Sequence, residues 1–320
     1  MQTFLSCDWG TTNFRLRLVD VNTGSILAEV ANGEGIQSTF NKWQSQPEPA
    51  VTRAAFYQSI IANAIQNLQA QYGKPLKNLP VVVSGMASSS IGMLELPYKE
   101  LPVNLLEMNL EHLDMVATEN FNHPLLIISG IKSNDDVIRG EETKIAGCFN
   151  SNEDGKHLFI IPGTHTKHAV IEGNYIVSFS TYMTGEIFHL LNAESILKNS
   201  IEEVAGFDQQ HKKAFASGVT TGKNSNILQS LFTTRTNQLF NKFNKGENYF
   251  YLSGLLIGHE LKETINEEYE SIKLICNKTF EPYYLAALEI LYPSRTIQTI
   301  DSDVALIQGQ LKLAKALYVI

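Results

Sequence analysis

The chain has 320 residues, more than one core usually supports, which points to two domains. Hydrophobic residues at 43% and charged residues at 18% give an ordinary globular mix, and a net charge of −8 excludes a basic nucleic-acid scaffold without forbidding a nucleotide ligand. Three scattered cysteines (Cys7, Cys148, Cys276) make no disulfide framework or CxxC metal site, and no signal-peptide pattern or bilayer-length apolar run is present, so a soluble cytoplasmic protein is expected.

In chain order, 3–7, 14–20 and 25–30 read as short strands, the last two joined by the turn Asn22-Thr23-Gly24. Ala54, Tyr57, Ile61, Ile65 and Leu68 recur at helical spacing. The continuous apolar runs 79–84 and 124–129 are signatures of strands covered on both faces. The first half is therefore expected to run strand, strand, strand, helix, strand, helix, strand, helix. The second half repeats that order. Strands are expected at 157–162, 167–172 and 175–179, with Gly173-Asn174 as a hairpin turn. A helical region follows from about 184 to 266, then a strand at 272–276, a helix at 282–291, a strand at 296–300 and an amphipathic helix at 304–317. Such a duplication implies two related α/β domains, 1–153 and 154–320, with ligands held in the cleft between them. The segment 205–246 reads as a helical insertion that offers a surface for a homodimer.

Asp8-Trp9-Gly10-Thr11-Thr12 closes the first strand. A Gly followed by two Thr can turn tightly and present N–H groups and hydroxyls to a phosphate, while Asp8 can hold Mg²⁺ directly or through water. An ordinary hairpin gives the same letters. Pro162-Gly163-Thr164-His165-Thr166-Lys167 repeats the turn, and the recurrence favours two clamps on one polyphosphate, with Gly10, Thr11, Thr12, Gly163, Thr164 and His165 as donors. Asp136, after Ser129-Gly130, is expected at a helix N-terminus, either as a base for a sugar hydroxyl or in a capping pattern with Ser133. Arg139 is either a two-point partner for a substrate carboxylate or half of a surface ion pair. The loop Gly85-Met86-Ala87-Ser88 follows a buried strand and is either a place where a polyol can hydrogen-bond or a passive connection. Gly254, in Ser253-Gly254-Leu255-Leu256-Ile257-Gly258, allows close approach of adenine or of another helix, and Asn277 in the next strand–helix loop is a second candidate for the adenosine side. The eight histidines show no metal-ligand spacing, so no structural metal is expected.

Five strings occur in order: Asp8-Trp9-Gly10-Thr11-Thr12, Asp136-Val137-Ile138-Arg139-Gly140-Glu141-Glu142-Thr143, Pro162-Gly163-Thr164-His165-Thr166-Lys167, Met183-Thr184-Gly185-Glu186 and Tyr251-Leu252-Ser253-Gly254-Leu255-Leu256-Ile257-Gly258. Together they resemble the 2-dehydro-3-deoxygalactonokinase family, a branch of the actin/hexokinase-like ATPase superfamily, through essentially the whole chain. The resemblance implies two ribonuclease-H-like domains in tandem that close on ATP and a sugar acid. It also implies Mg²⁺-assisted phosphorylation of 2-dehydro-3-deoxy-D-galactonate at its 6-hydroxyl. It places phosphate loops at 10–12 and 163–165 and the general base at Asp136. Ser90, Ile91 and Met93 stand where many members carry Arg or Gln and a Trp, which leaves the sugar acid less fixed than the reaction. Pro162 replaces the acidic residue of many relatives, so magnesium rests on Asp8. The alternatives are a kinase for another aldonate or keto-sugar acid, a non-catalytic nucleotide or sugar sensor on the same fold, and a phosphohydrolase. Retention of both turns together with Asp136 argues against the sensor.

Overall fold

The computed structural model describes residues 2–46, 51–107, 109–265, 267–317 and 320. The chain divides into two compact units: Met1–Glu153 with Asn174–Ser178 and Ser302–Ile320, and Asp154–Gly173 with Phe179–Asp301.

The first unit opens with β1 (Thr3–Trp9), β2 (Phe14–Asp20) and β3 (Ile26–Asn32), an antiparallel meander. Phe4, Leu5, Cys7 and Trp9 of β1 are all fully buried, as the apolar run requires of a central strand. Then come α1 (Ile36–Gln44) and α2 (Arg53–Tyr72). Thr52 caps α2 by accepting the Ala55 N–H, Gly73 ends it at φ 77°, and Tyr57, Ile61, Ala64, Ile65 and Leu68 form its buried face. The remaining elements are β4 (Val81–Gly85), β5 (Lys99–Glu100), β6 (Val103–Asn104), β7 (His112–Met115), β8 (Leu125–Ile128), β9 (Ile131–Lys132), β10 (Val137–Ile138) and α3 (Glu141–Cys148). The main sheet runs β3-β2-β1-β4-β8-β7, with β4 parallel to β1 and β8 parallel to β4.

Among the described residues of 86–124 the helix expected between the two apolar runs is absent, and a 3₁₀ turn at Met86–Ser88 and the short strands β5, β6 and β7 stand there instead. Pro97 and Pro102 fall in this segment, where each removes an N–H that a helix would need.

The second unit contains β11 (Lys156–Ile161), β12 (Thr166–Glu172), β13 (Tyr175–Tyr182), α4 (Thr184–Ala193), α5 (Gln209–Asn224), α6 (Ile227–Leu239), α7 (Lys245–Leu261), β14 (Ser271–Cys276), α8 (Glu281–Leu291) and β15 (Ile297–Asp301). Its sheet runs β15-β14-β11-β12-β13, with β14 parallel to β11 and β15 parallel to β14, which repeats the β8-β4-β1-β2-β3 order of the first unit. The start of β13 counts with the first unit because Tyr175 and Ile176 pair with Asn104 and Val103. The long helical region is broken by caps: Asp208 starts α5, Asn226 starts α6, and an Asn244–Glu247 capping box starts α7.

The last helix, α9 (Ser302–Ala316), corrects the expected boundary, since residues 302–320 fold with the first unit. Gln310 Nε2 donates to Cys7 O at 3.1 Å and to Ser84 Oγ at 3.0 Å, and Asp303 pairs with Arg15 at 2.8 Å and with the buried Arg17 at 2.7 Å. A Cβ at Gly309 would stand 1.8 Å from Thr143 O, so α9 and α3 meet backbone to backbone. No helix among the described residues is long and apolar enough to cross a membrane.

Candidate active site

In the first unit, the ends of the parallel strands bring several predicted residues together. Asp8 is opposite Ser84 and Trp9 opposite Gly85 in the β1–β4 register. Gly85 has φ 95°, and a Cβ there would lie 2.7 Å from Trp9 O. A Cβ at Gly140 would lie 3.3 Å from the Cα of Gly85, so the start of α3 reaches the same corner. Trp9 itself is buried against Phe14 and Tyr57 and donates its Nε1–H to Glu34 O. Gly10 N–H closes the turn on Asn13 O at 2.9 Å. The Gly10 and Thr11 carbonyls accept N–H groups from Ile36 and Gln37 of α1, while the Thr11 and Thr12 side chains are exposed. Asp8 is half-buried and its carboxylate makes no hydrogen bond or ion pair with any described residue. That setting suits Mg²⁺, which keeps several waters and takes one or two carboxylates. Among the described residues, no three His, Cys, Asp or Glu cluster to hold a metal.

Other predicted residues are committed elsewhere. Ser88 is buried and donates its hydroxyl to Ile128 O at 2.8 Å, which corrects its expected role as a sugar ligand. Arg139 Nη1 donates to Ser88 O at 2.6 Å, and the guanidinium stacks on Tyr98 at 4.1 Å. Arg139, between β10 and α3, thus reaches the loop after β4, and among the described residues it pairs with no carboxylate side chain through its guanidinium. Met86 is half-buried against the core and Met93 wholly inside it; of the three departing positions only Ser90 is exposed. Asp136 does not start a helix. It closes the turn Ser133–Asp136 between β9 and β10: Ser133 N–H donates to Asp136 O at 2.9 Å, and Asp136 N–H to Ser133 Oγ at 3.0 Å. Short polar side chains bonding their own backbone here outcompete a helical start. The α3 N-terminus lies five residues on, at Glu141.

The reading of the sequence passed over Glu142. Its carboxyl is buried, accepts the Gly140 N–H at 2.7 Å and the Thr143 hydroxyl at 3.0 Å, and is pushed up to about 7 by burial, with Glu141 adding to the rise.

In the second unit, the Gly163–Thr164 turn meets the first turn of α4. A Cβ at Gly185 would stand 2.6 Å from Gly163 O, and Glu186 N–H donates to Thr164 O at 3.0 Å. The N–H groups of Thr184 and Gly185 have no protein acceptor among the described residues, which leaves an anion-binding helix start beside the turn. His165 Nε2 lies 2.5 Å from Glu186 Oε2. Gly163, Thr164, Thr184 and Gly185 line one part of a cavity of about 330 Å³. Phe188, Tyr249, Phe280 and Tyr283 give it aromatic walls, and Ser253, Leu256 and Ile257 of α7 also line it.

Two adenosine-side expectations need correction. Gly254 serves helix packing: a Cβ there would be 2.1 Å from Phe215 O of α5. Asn277 caps the turn before α8 by accepting the Thr279 and Phe280 N–H groups, and these two neighbours line the cavity in its place. The sequence reading also missed Glu260, a buried carboxylate that accepts from His168, Thr184 and Tyr284. Its only sequence signal is an acidic residue on the apolar face of α7.

The model of the 2-keto-3-deoxy-galactonokinase family matches residues 8–313. The chain belongs to this family. A probable 2-dehydro-3-deoxygalactonokinase of Rhizobium meliloti is 27% identical over 323 residues, covering 98% of this chain and 97% of the relative. The 2-dehydro-3-deoxygalactonokinase of Escherichia coli is 29% identical over 261 residues, covering 81% and 79%. A crystal structure from Sinorhizobium meliloti, provisionally assigned to the same activity, superposes with a TM-score of 0.79 at 25% identity, covering 99% of this galactonokinase-family chain and 100% of the other. Component A of an Acidaminococcus fermentans dehydratase, 11% identical with a TM-score of 0.50 and 99% and 100% coverage, shares the fold alone. The architecture is the expected α/β fold, with one strand order repeated in two units.

Proposed function

We propose that the chain carries out the reaction its family is named for, transfer of the γ-phosphoryl group of ATP to the 6-hydroxyl of 2-dehydro-3-deoxy-D-galactonate. The observation that carries this reading is the second-unit cavity, in which aromatic walls suited to a flat base lead to the unpaired N–H groups of the α4 start. Family membership supports the sugar acid as acceptor. The exposed Gly10-Thr11-Thr12 turn supplies further donors to phosphoryl oxygens, and Asp8 holds Mg²⁺ through its unpaired carboxylate. When bound, the ion neutralises charge developing on the β- and γ-phosphoryl oxygens. The sugar acid lies against the loop after β4 at Gly85, a loop that Arg139 fixes in place. Asp136 aligns the 6-hydroxyl and takes its proton late in transfer. The site of action is the cytoplasm, where ATP is available.

The exposed apolar side chains of α6 support a homodimer through the helical insertion: Leu228 is 78% and Phe232 55% exposed. Sedimentation should show a dimer for the wild type and a monomer for Phe232→Glu; a monomeric wild type removes this part of the reading.

The test of function is ADP release with purified 2-dehydro-3-deoxygalactonate and its gluconate epimer. Faster turnover of the epimer would reassign the acceptor. ATP hydrolysis indifferent to both sugars would show a phosphohydrolase, and nucleotide binding without product a sensor.

A further inference from the structure

Glu260 is 3% exposed, yet among the described residues its carboxylate has no lysine or arginine partner and meets neutral donors and a histidine. His168 Nε2 lies 2.9 Å from Oε1, Tyr284 donates its hydroxyl to Oε2 at 2.9 Å, and the Thr184 hydroxyl donates to the same oxygen. A carboxylate kept inside a protein is tolerated only where its lone pairs are used in this way. No step of the phosphoryl transfer described above uses it. Its partners are telling, because Thr184 and Tyr284 both line the cavity.

Donor direction follows from the chemistry of the groups. A carboxylate only accepts, so the protons of both hydroxyls point at Glu260 and their lone pairs turn away from it. The Tyr284 oxygen then accepts from Thr166, 2.8 Å away. Thr184 Oγ1 has no second partner among the described residues, so its lone pairs are left for the cavity it lines. The start of α4 therefore offers two kinds of group side by side. The N–H groups of Thr184 and Gly185 suit phosphoryl oxygens, whereas the Thr184 oxygen repels them and suits a donor.

We propose that Glu260 is a positioning residue that fixes Thr184 as a hydrogen-bond acceptor for an O–H group carried in with the nucleotide, either a ribose hydroxyl or a water on its divalent cation. This rests on the nucleotide reading of the cavity. Glu260→Gln removes the charge, and with its amide nitrogen on the hydroxyl side it donates to one of the hydroxyls and frees a proton to turn outward, whereas with that nitrogen on His168 the amide oxygen still accepts from both. Thr184→Val removes the acceptor from a half-buried helix start, and Thr184→Ser keeps it.

The test is calorimetric binding of ADP, 2′-deoxy-ADP and 3′-deoxy-ADP to the full chain, each with Mg²⁺ and with a chelator. Thr184→Val and Glu260→Gln should each weaken Mg²⁺–ADP roughly five- to tenfold, the effect of one lost hydrogen bond. Thr184→Ser should bind like the wild type. If the partner is a ribose hydroxyl, the two variants lose the wild-type preference for ADP over one deoxy analogue. If it is a metal-bound water, they lose the gain in affinity that Mg²⁺ gives. An equal loss in every arm, as a purely structural role produces, overturns the proposal, and so does wild-type affinity in Thr184→Val. Should Glu260→Gln fail to fold, Thr184→Val alone decides. A wild type that binds no ADP overturns the nucleotide reading itself.

Discussion

Glu142 holds its carboxyl in the interior of the first unit, where burial above all raises it from the ordinary carboxylate range to about 7. The sign of the consequence is fixed. Between about pH 4.5 and 7 the folded chain binds a proton that the unfolded chain has released, so stability falls as pH rises through that window. The full effect is up to roughly 3 kcal/mol. Thermal unfolding followed from pH 5 to 7.5 should show the decline, and Glu142→Gln should flatten it; an unchanged slope would mean the carboxyl is ionised inside. For Asp136, Asp136→Asn should leave the unfolding midpoint within a degree or two and lower kcat by roughly a hundredfold or more. Near-full activity would remove it as the base. The Gly-Thr turns were legible because each is a local event, set by a glycine and its next two residues. The commitments of Ser88 and Arg139 were not, because their partners lie 40 and 51 positions away.

Glycine decides how the helices of the second unit meet. Gly218 and Gly222 of α5 and Gly254 and Gly258 of α7 each come so close that a Cβ would lie within 2.3 Å of a carbonyl oxygen of the other helix. Gly254→Ala should therefore force the helices apart and destabilise the second unit by about 2 kcal/mol or more, while nucleotide affinity of the folded fraction stays unchanged. Gly185→Ala should do the opposite. Its Cβ would meet Gly163 O at 2.6 Å, so it should shift α4 off the turn and weaken ADP binding tenfold or more with little loss of stability. A Gly-x-x-x-Gly spacing says that something approaches closely, but not whether a base or a helix does. The answer here is a helix, since Gly254 and Gly258 both pack on α5. Periodicity found α2 and α8 well, since each has one stripe to bury, whereas α9 formed where expected but is buried round most of its circumference, with Val304 of the expected stripe exposed. It failed over 86–124, where prolines and polar residues leave the backbone to pair in short strands.

For the chain as a whole, the C-terminal helix is the informative element. Ending the chain at Asp301 should strip Arg15 and the buried Arg17 of Asp303, and the Cys7 carbonyl of β1 and the Ser84 hydroxyl of β4 of Gln310. Hydrogen exchange should then show β1, β2 and β4 losing protection while β11, β12 and β14 keep theirs. Equal loss in both units would mean the helix stabilises them alike. The amino-acid sequence by itself determined the duplicated strand order, the two Gly-Thr turns and the family, because each is written in neighbouring residues or repeated along the chain. Only the tertiary structure decided that α9 belongs with the first unit, that Asp136 closes a turn, and that Glu260 stands behind Thr184. Those outcomes depend on pairings of side chains far apart in sequence and on which hydroxyl proton a buried carboxylate captures, and neither leaves a periodic trace in the letters.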